Sequence, residues 1–166
     1  MHRASRRMMR RLLQKNLDRN TVLEIVDVGS YDVNGNYRIL MEDSWKYTGV
    51  DIEEGPNVDV VMPEAYRIPL EDEVFDVAIS GNCFEHAANP FKLMKEVSRI
   101  VKPNGLFFMT VPWIMPEHRF PIDCWRILRD GWESLFSESG IETIETFYHE
   151  QRHPFLHDSW AIGRKS

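Results

Sequence analysis

Two acids and a glycine near the start of the chain have types and spacing that suit a nucleoside ligand. Asp27 lies near the end of the apolar run 22–28, and Gly29 follows that run. A glycine lets the backbone approach a ligand, and its amide can meet a carboxylate at the start of a following helix. Asp27 suits an ammonium group on the same ligand. Asp51 stands 22 residues after Gly29, the spacing at which an acid accepts hydrogen bonds from both ribose hydroxyls.

The glycines and lysine of polyphosphate-binding loops are missing from this segment. Residues 25–38 read IVDVGSYDVNGNYR, without G-x-G-x-x-G and without Gly-Lys-Ser. The ligand must therefore carry a ribose, an amine and a carboxylate but no polyphosphate. S-adenosylmethionine meets these requirements, whereas ATP and a nicotinamide dinucleotide do not. The alternatives are structural: Asp27 as a buried acid bonded to local amides, and Asp51 as a strand-end cap.

The elements that must position these residues alternate between strands and helices. The pattern predicts one domain over 1–166 with an α/β, Rossmann-like fold, a doubly wound, mostly parallel seven-stranded sheet with helices on both faces and an antiparallel edge hairpin. Asn89 and Asp130 are expected to cap the second and third helices. Helices are predicted at 3–18, 89–105 and 130–140, and strands at 22–28, 45–52, 57–62, 75–80, 106–112, 141–149 and 159–164.

One segment does not fit the alternation and is expected to form the substrate side of the site. Residues 113–129 form an insert whose first part, WIMPEHRFPIDCWR, is rich in prolines, charges and aromatic rings. Because it leaves the carboxyl end of a strand, where ligands bind in open α/β sheets, it should overhang the site. His118 is the best candidate for a general base, since its ordinary pKa is near the working pH. Asp123 is a second catalytic candidate.

Three further residues of the insert are predicted to bind the acceptor. They are Trp113, Arg119 and Arg126. The guanidinium groups of the two arginines could hold a carboxylate or a phosphate on the acceptor. The alternative is that the arginines pair with Glu117 and Asp123, and that the histidine only braces the loop.

Four segments, in order over about ninety residues, resemble the class I S-adenosylmethionine-dependent methyltransferases of the "methyltransferase 11" type. Two further segments, DVNGNYR and EHRFPIDCWR, resemble a subgroup of bacterial methyltransferases that is often associated with polysaccharide or secondary-metabolite pathways. The matching segments are DVGS (27–30), GVDI (49–52), EAYRIPLEDEVFDVAIS (64–80) and NCFEHAANPFKLMKEVSRIVKPNGLFFMTVP (82–112).

The resemblance implies a set of cofactor contacts. Asp27 and Gly29 would hold the methionine end, Asp51 the ribose, and Ile52 would pack on the adenine. The remaining members would border the adenine or line the cofactor opposite the glycine loop, and His86 would order the start of a helix or, alternatively, act as a base. The implied set is Asp27, Gly29, Ser30, Asp51, Ile52, Glu64, Ala65, Ser80 and Gly81.

The chain departs from the family pattern at a few positions. Asp32 and Asn34 stand where the family has further loop glycines, and Gly35 is shifted. Glu64 stands where Asp is usual, and Asn104 replaces the first of two glycines. The loop changes bear most on the cofactor, because they alter the segment that should wrap around it.

Composition narrows the partners and the location. The chain has 166 residues and a net charge of −6, so no nucleic acid is expected, although residues 2–11 carry five arginines. We interpret 1–20 as a basic helix with a solvated face; a membrane-surface or polyanion contact, or a transit peptide, is the alternative. Cys83 and Cys124 lie far apart without metal-ligand spacing, which predicts a reduced, cytoplasmic protein without a metal site. The sequence has no run of 18 apolar residues, so no transmembrane segment is expected.

These observations predict a methyltransferase that is independent of metal. The acceptor would be an oxygen or nitrogen on a small molecule, a saccharide or a secondary metabolite. Only about twenty residues precede the first strand, so a homodimer could complete the acceptor pocket. A catalytically silent binding or partner subunit is the alternative function, and the joint presence of Asp27, Gly29 and Asp51 argues against it.

Overall fold

The computed structural model describes residues 3–150, without the side chain of residue 150, and residues 156–166. One sheet of seven strands has the order β3-β2-β1-β4-β5-β7-β6. Strands β1 to β5 are parallel, and β7 runs antiparallel to both β5 and β6. The predicted fold class is thereby confirmed. The elements are α1 (Arg3–Asn16), β1 (Leu23–Val28), β2 (Trp45–Asp51), β3 (Val60–Val61), β4 (Phe75–Gly81), α2 (Pro90–Ile100), β5 (Val101–Ile114), α3 (Arg129–Ser137), β6 (Ile141–Glu150) and β7 (His157–Lys165).

Two apolar cores lie on opposite faces of the sheet. Neighbouring strand residues alternate between them: Phe107 belongs to the core that contains α2 and α3, and Phe108 to the core that contains α1. Successive side chains on a strand point to opposite faces, so a strand buried on both faces reads as a continuous apolar run. Helix α1 covers its face with Met9, Leu12 and Leu13, all buried. The basic N-terminal segment therefore packs on the sheet through one apolar stripe.

The ends of the second and third helices differ from prediction. Asn89 caps α2 as expected, since its side chain accepts a hydrogen bond from the Lys92 amide at 3.0 Å. The helix ends at Ile100, however, because the β-branched and buried Val101 pairs with β4 at Phe75. The strand β5 thus includes 101–105, which the sequence assigned to the helix end. The prediction that Asp130 caps α3 is wrong: it lies in the first turn, and the residue before the helix makes no side-chain cap.

The third strand is shorter than predicted. It comprises only Val60–Val61 rather than 57–62. Asn57 has a φ of 70°, a left-handed backbone conformation that does not belong to a strand. Pairing with β2 therefore begins three residues later.

No α-helix follows β1, contrary to the expectation that a helix start would meet the ligand. Residues 29–44, all of them described, form a loop with one 3₁₀ turn at Arg38–Leu40. The carboxylate of Asp32 accepts hydrogen bonds from the Gly35 amide at 2.5 Å and from the Asn36 side-chain amide at 2.6 Å. Asp32, which stands where the family has a glycine, therefore stabilises the loop by accepting hydrogen bonds from the two residues that follow Asn34.

Candidate active site

A cavity of about 460 Å³ opens at the carboxyl ends of β1, β2 and β4. Most predicted cofactor residues line it, and two do not. Ser80 is fully buried, and its hydroxyl donates to the Val28 carbonyl at 2.7 Å, which joins β4 to β1. Glu64 is exposed and forms an isolated bridge with Arg67. The predicted residues that line the cavity are Asp27, Gly29, Ser30, Asp51, Ile52, Ala65 and Gly81.

Gly29 is required by a close approach of two backbone segments. Its φ is +81°, and a Cβ at this position would overlap the Cβ of Cys83. Its amide donates to the Val50 carbonyl at 2.9 Å, and the Ser30 amide donates to the same oxygen at 3.1 Å. The expectation that the Gly29 amide meets a ligand carboxylate is therefore wrong in this structure, because the amide extends the sheet instead.

Asp27 is a buried acid at the cavity wall. It is 2% exposed and accepts a hydrogen bond from the Tyr47 hydroxyl at 2.5 Å. Burial raises the pKa of Asp27 to about 7, the hydrogen bond from Tyr47 opposes this rise, and the nearby Asp51 adds to it. The carboxyl group therefore titrates close to neutral pH, and an ammonium group beside it would favour the ionised form.

Asp51 is held at the end of β2 by backbone amides. Its carboxylate accepts hydrogen bonds from the amides of Tyr31 at 2.9 Å and Ile52 at 2.7 Å. The Ile52 side chain is half exposed and presents an apolar surface to the cavity. An oriented acid beside an apolar side chain is an arrangement that suits a ribose with its attached base.

Comparison with known protein families identifies the family of the chain. A family model described as "Methyltransferase domain" matches residues 26–109, just over half of the chain. The chain belongs to that family. The S-adenosylmethionine cofactor expected from the sequence is confirmed by this membership.

Curated relatives of this methyltransferase domain match its sequence over part of their length. An uncharacterized methyltransferase-like protein of Schizosaccharomyces pombe is 44% identical over 97 residues, which cover 52% of this chain and 38% of the relative. The chain covers less than half the length of the first curated relatives that it matches.

Two solved structures share the fold at low identity. The 1,6-didemethyltoxoflavin-N1-methyltransferase of Burkholderia thailandensis, with bound 1,6-didemethyltoxoflavin and S-adenosylhomocysteine, superposes with a TM-score of 0.74 at 16% identity, over 98% of this chain and 79% of that one. The [4+2]-cyclase SpnF gives 0.73 at 16% identity, over 98% and 82%. Because the second is a cyclase, the fold alone does not fix the chemistry.

The residues at the cavity of the methyltransferase domain fit S-adenosylmethionine. A buried carboxyl at Asp27 can pair with the ammonium group, and the oriented Asp51 can accept from the ribose. Gly81 also lines the cavity, and a glycine is required there because a Cβ would overlap the Tyr37 hydroxyl. Within the described ranges, no helix has the length and apolar content needed to cross a bilayer.

The sequence missed Arg6 as a neighbour of the cavity. A Cβ on Gly35, which lines the cavity, would lie 2.7 Å from a guanidinium nitrogen of Arg6. One arginine of the N-terminal helix therefore reaches the loop that follows β1 rather than facing solvent alone. The sequence could have indicated this position through the buried face of α1, because Arg6 follows Ser5 and lies one helical turn before Met9, and both of these residues are buried.

The insert covers one side of the cavity with part of its length. His118 and Arg119 line the cavity, together with Phe120, Pro121 and Ile122. Arg119 pairs with Glu117 at 2.6 Å, and both side chains are exposed.

The other predicted insert residues lie away from the cavity lining. Arg126 makes two contacts with the Asp123 carboxylate, at 2.6 and 2.8 Å, and also donates to the Met115 and Pro116 carbonyls. This pairing holds the pKa of Asp123 well below its usual range. Trp113 packs on Tyr148 with ring centroids 4.5 Å apart. The structure therefore brings His118 and Arg119 to the cavity but not Trp113, Asp123 or Arg126.

The carboxylate of Glu85 is the neighbour of His118 that the sequence missed. The pKa of His118 is raised, first by Glu85, then by the Pro116 carbonyl and by Asp123, against the opposing effect of burial. Glu85, His86 and His118 bring their ligand atoms within 4.8 Å of one another. The expectation of no metal site rested on spacing along the chain, and that argument overlooked this group because 32 residues separate the two histidines. The available signal was a Glu-His pair after β4 and a histidine after β5.

Proposed function

We propose that this chain catalyses transfer of a methyl group from S-adenosylmethionine to an oxygen or nitrogen atom of a small molecule, a saccharide or a secondary metabolite. The observation that carries the proposal is one cavity with the buried Asp27 and the oriented Asp51 on its sheet side and His118 on its insert side. The cofactor supplies a methyl group on a positively charged sulfur. Because such a transfer is an in-line displacement, the main task of the protein is to align donor and acceptor.

The cofactor side is assigned by charge and by exposed apolar surface. Asp27 binds the ammonium group, Asp51 accepts hydrogen bonds from the ribose, and Ile52 packs on the adenine. Since the Gly29 amide is engaged within the sheet, Arg6 is the group proposed to hold the carboxylate. Ala65 and Gly81 line the same cavity, whereas Ser80 supports it from within the sheet.

The acceptor side is assigned to the insert. His118 is the nearest candidate to accept a proton from a hydroxyl acceptor, and a neutral amine would not need it. The neighbouring Glu85 raises the pKa of His118, which makes the imidazole a stronger proton acceptor. Arg119 is proposed to bind an acidic group of the acceptor, since its partner Glu117 is exposed and the pair is readily exchanged.

Location and assembly are proposed from the cysteines, the net charge and the exposed surface of the insert. The two cysteines are free, which supports the reducing cytoplasm. A homodimer is supported by the exposed Phe120, Ile122 and Trp125 of the insert, which a second subunit could cover. The net charge of −6 supports a small-molecule or saccharide partner over a nucleic acid.

Calorimetry with S-adenosylhomocysteine tests the cofactor assignment. We expect micromolar binding, about −8 kcal/mol, and no binding of NAD. Asp51→Ala should weaken binding by about 1.5 to 3 kcal/mol, the range for hydrogen bonds to a charged group. Glu54→Ala is the matched control, because this exposed acid lies three positions away and does not line the cavity. Equal affinity of the Asp51 variant and the wild type would refute the ribose assignment, and binding without turnover on any acceptor would favour a silent partner subunit.

A further inference from the structure

Glu85 carries a carboxylate that the rest of the protein does not satisfy. Its side chain is fully buried, and neither oxygen has a hydrogen-bond partner among the described residues. Buried polar groups are nearly always bonded, and an unpaired buried charge is strongly unfavourable. The backbone of the same residue is well held, since its carbonyl accepts from the amides of Cys124 at 2.7 Å and Trp125 at 3.2 Å. The residue is therefore fixed in place while its carboxylate stays available.

Two imidazoles face this carboxylate at a distance that leaves room for an ion. The Nε2 atoms of His86 and His118 lie 3.7 and 3.8 Å from Oε1 of Glu85, too far for hydrogen bonds. In a tetrahedral zinc site the same atoms would be about 3.3 Å apart, given metal–ligand bonds of about 2.0 to 2.1 Å. Each of the two Nε2–Oε1 distances would have to shorten by about half an ångström to reach that spacing, and all three ligand atoms already lie within 4.8 Å of one another.

The hydrogen bonds of the two rings leave the right nitrogen atoms free. Nδ1 of His86 lies 2.6 Å from the Ile122 carbonyl, and Nδ1 of His118 lies 3.2 Å from the Pro116 carbonyl. A carbonyl oxygen only accepts, so each Nδ1 carries the proton and each Nε2 of a neutral ring presents a lone pair. Lone pairs directed at a carboxylate repel it, and either protonation of a ring or a metal cation between the ligands removes the repulsion. Metal-binding histidines commonly have this arrangement, with the other ring nitrogen donating to a carbonyl.

We propose that Glu85, His86 and His118 bind a divalent transition-metal ion of the Zn²⁺ class. Two imidazoles and one carboxylate suit zinc or a neighbouring transition metal, whereas Mg²⁺ prefers oxygen ligands. Three protein ligands leave a position open in a tetrahedral site. Because both histidines also line the cavity, that position faces the space assigned to the acceptor.

The bound ion narrows the acceptor class to compounds with a hydroxyl group, an extension that rests on the proposed function. A hydroxyl oxygen in the open position loses its proton to solvent more readily, because the ion stabilises the negative charge that forms. The new C–O bond then forms as the C–S bond of the sulfonium breaks, with S-adenosylhomocysteine leaving. With the ion bound, His118 is a metal ligand and not the general base. The proposed site also replaces the expectation that the enzyme is independent of metal.

Metal titration of the purified chain tests the site without relying on activity. Protein stripped with a chelator and then dialysed should bind one equivalent of Zn²⁺ in calorimetry, and Co²⁺ should give the visible absorption of a tetrahedral site. Glu85→Gln and His86→Asn should each weaken Zn²⁺ binding by about a hundredfold or more. Cys124→Ser is the matched control: it removes an exposed thiol that could bind zinc and should leave the affinity unchanged.

Thermal melting separates loss of binding from loss of folding. Without metal, Glu85→Gln should melt at or above the wild-type temperature, because a neutral amide replaces a buried charge. Zn²⁺ should raise the melting temperature of the wild type and of Cys124→Ser but not that of Glu85→Gln. Absence of Zn²⁺ binding, or equal binding by Glu85→Gln, overturns the metal site. If S-adenosylhomocysteine still binds in that case, the proposed function stands; if Zn²⁺ binds and S-adenosylhomocysteine does not, the metal site stands and the proposed function fails.

Discussion

The ionisation of Asp27 should make the stability of the ligand-free protein depend on pH. In the unfolded chain the carboxyl group loses its proton near its ordinary pKa of 3.8, whereas burial raises the pKa to about 7 in the folded state. The folded state therefore binds the extra proton between these values, so the contribution of Asp27 to stability is greatest below about pH 4 and falls until about pH 7. About three units at about 1.4 kcal/mol each make the loss about 4 kcal/mol.

Asp27→Asn removes this titration and keeps an oxygen that can accept from the Tyr47 hydroxyl. We expect the variant to be more stable than the wild type at pH 8, by as much as about 4 kcal/mol, with the difference shrinking toward pH 5. Urea unfolding of the ligand-free proteins across this pH range measures it. A difference that does not change with pH would contradict this argument, because the folded-state pKa of Asp27 would then not lie near 7.

Ligand binding should respond in the opposite direction. Only the ionised carboxylate pairs fully with an ammonium group, so wild-type affinity for S-adenosylhomocysteine should rise about tenfold per pH unit below 7 and then level off. Asp27→Asn should bind weakly at every pH. Tyr47→Phe should move the inflection to higher pH, because the hydrogen bond from Tyr47 lowers the pKa of Asp27. Wild-type affinity that is flat from pH 5.5 to 8.5 would refute the reasoning.

Other substitutions test the insert and the glycine loop. His118→Ala should lower turnover about a hundredfold or more while calorimetry shows nearly unchanged cofactor affinity; wild-type turnover would remove His118 from the chemistry. Arg126→Ala should lower the free energy of unfolding by about 1 to 3 kcal/mol, because the nearly buried Asp123 loses its partner; a changed Michaelis constant with normal melting would instead support acceptor binding. Gly29→Ala should cost more than about 2 kcal/mol of stability in denaturant unfolding. Gly140→Ala, with φ +69° and nothing within 4 Å, should cost only about 1 kcal/mol, and equal losses would refute the close-approach argument.

The parts of the fold that depend on local sequence were predictable. Apolar runs predict strands buried on both faces, and β1, β4 and β5 all lie where such runs occur. Asn89 with Pro90 predicts a helix start, because a capping side chain and a fixed φ act within one turn. The acids Asp27 and Asp51 could be placed at one cavity, because parallel strands end at the same edge of the sheet.

The parts that depend on tertiary contact were not predictable from spacing. Val101 reads as the last residue of a helix until its pairing with Phe75 is known. The loop after β1 lacks a helix because Asp32 satisfies nearby amides, a competition that periodicity does not reveal. Glu85 and His86 read as a local pair that could act as a base, since nothing local indicates that His118 will lie beside them.

The position of the insert depends on the short turn that carries the buried acid. The Glu85 carbonyl accepts hydrogen bonds from the amides of Cys124 and Trp125. The Trp125 indole donates to the Ala87 carbonyl at 2.7 Å, and Nδ1 of His86 lies 2.6 Å from the Ile122 carbonyl. Most of these bonds use backbone atoms of the turn, so substitutions elsewhere in the insert can change its surface without moving it. The cofactor side is built separately, from the ends of β1 and β2. Acceptor preference should therefore vary through the exposed face of the insert while cofactor affinity stays constant, as long as the turn at 84–88 is intact.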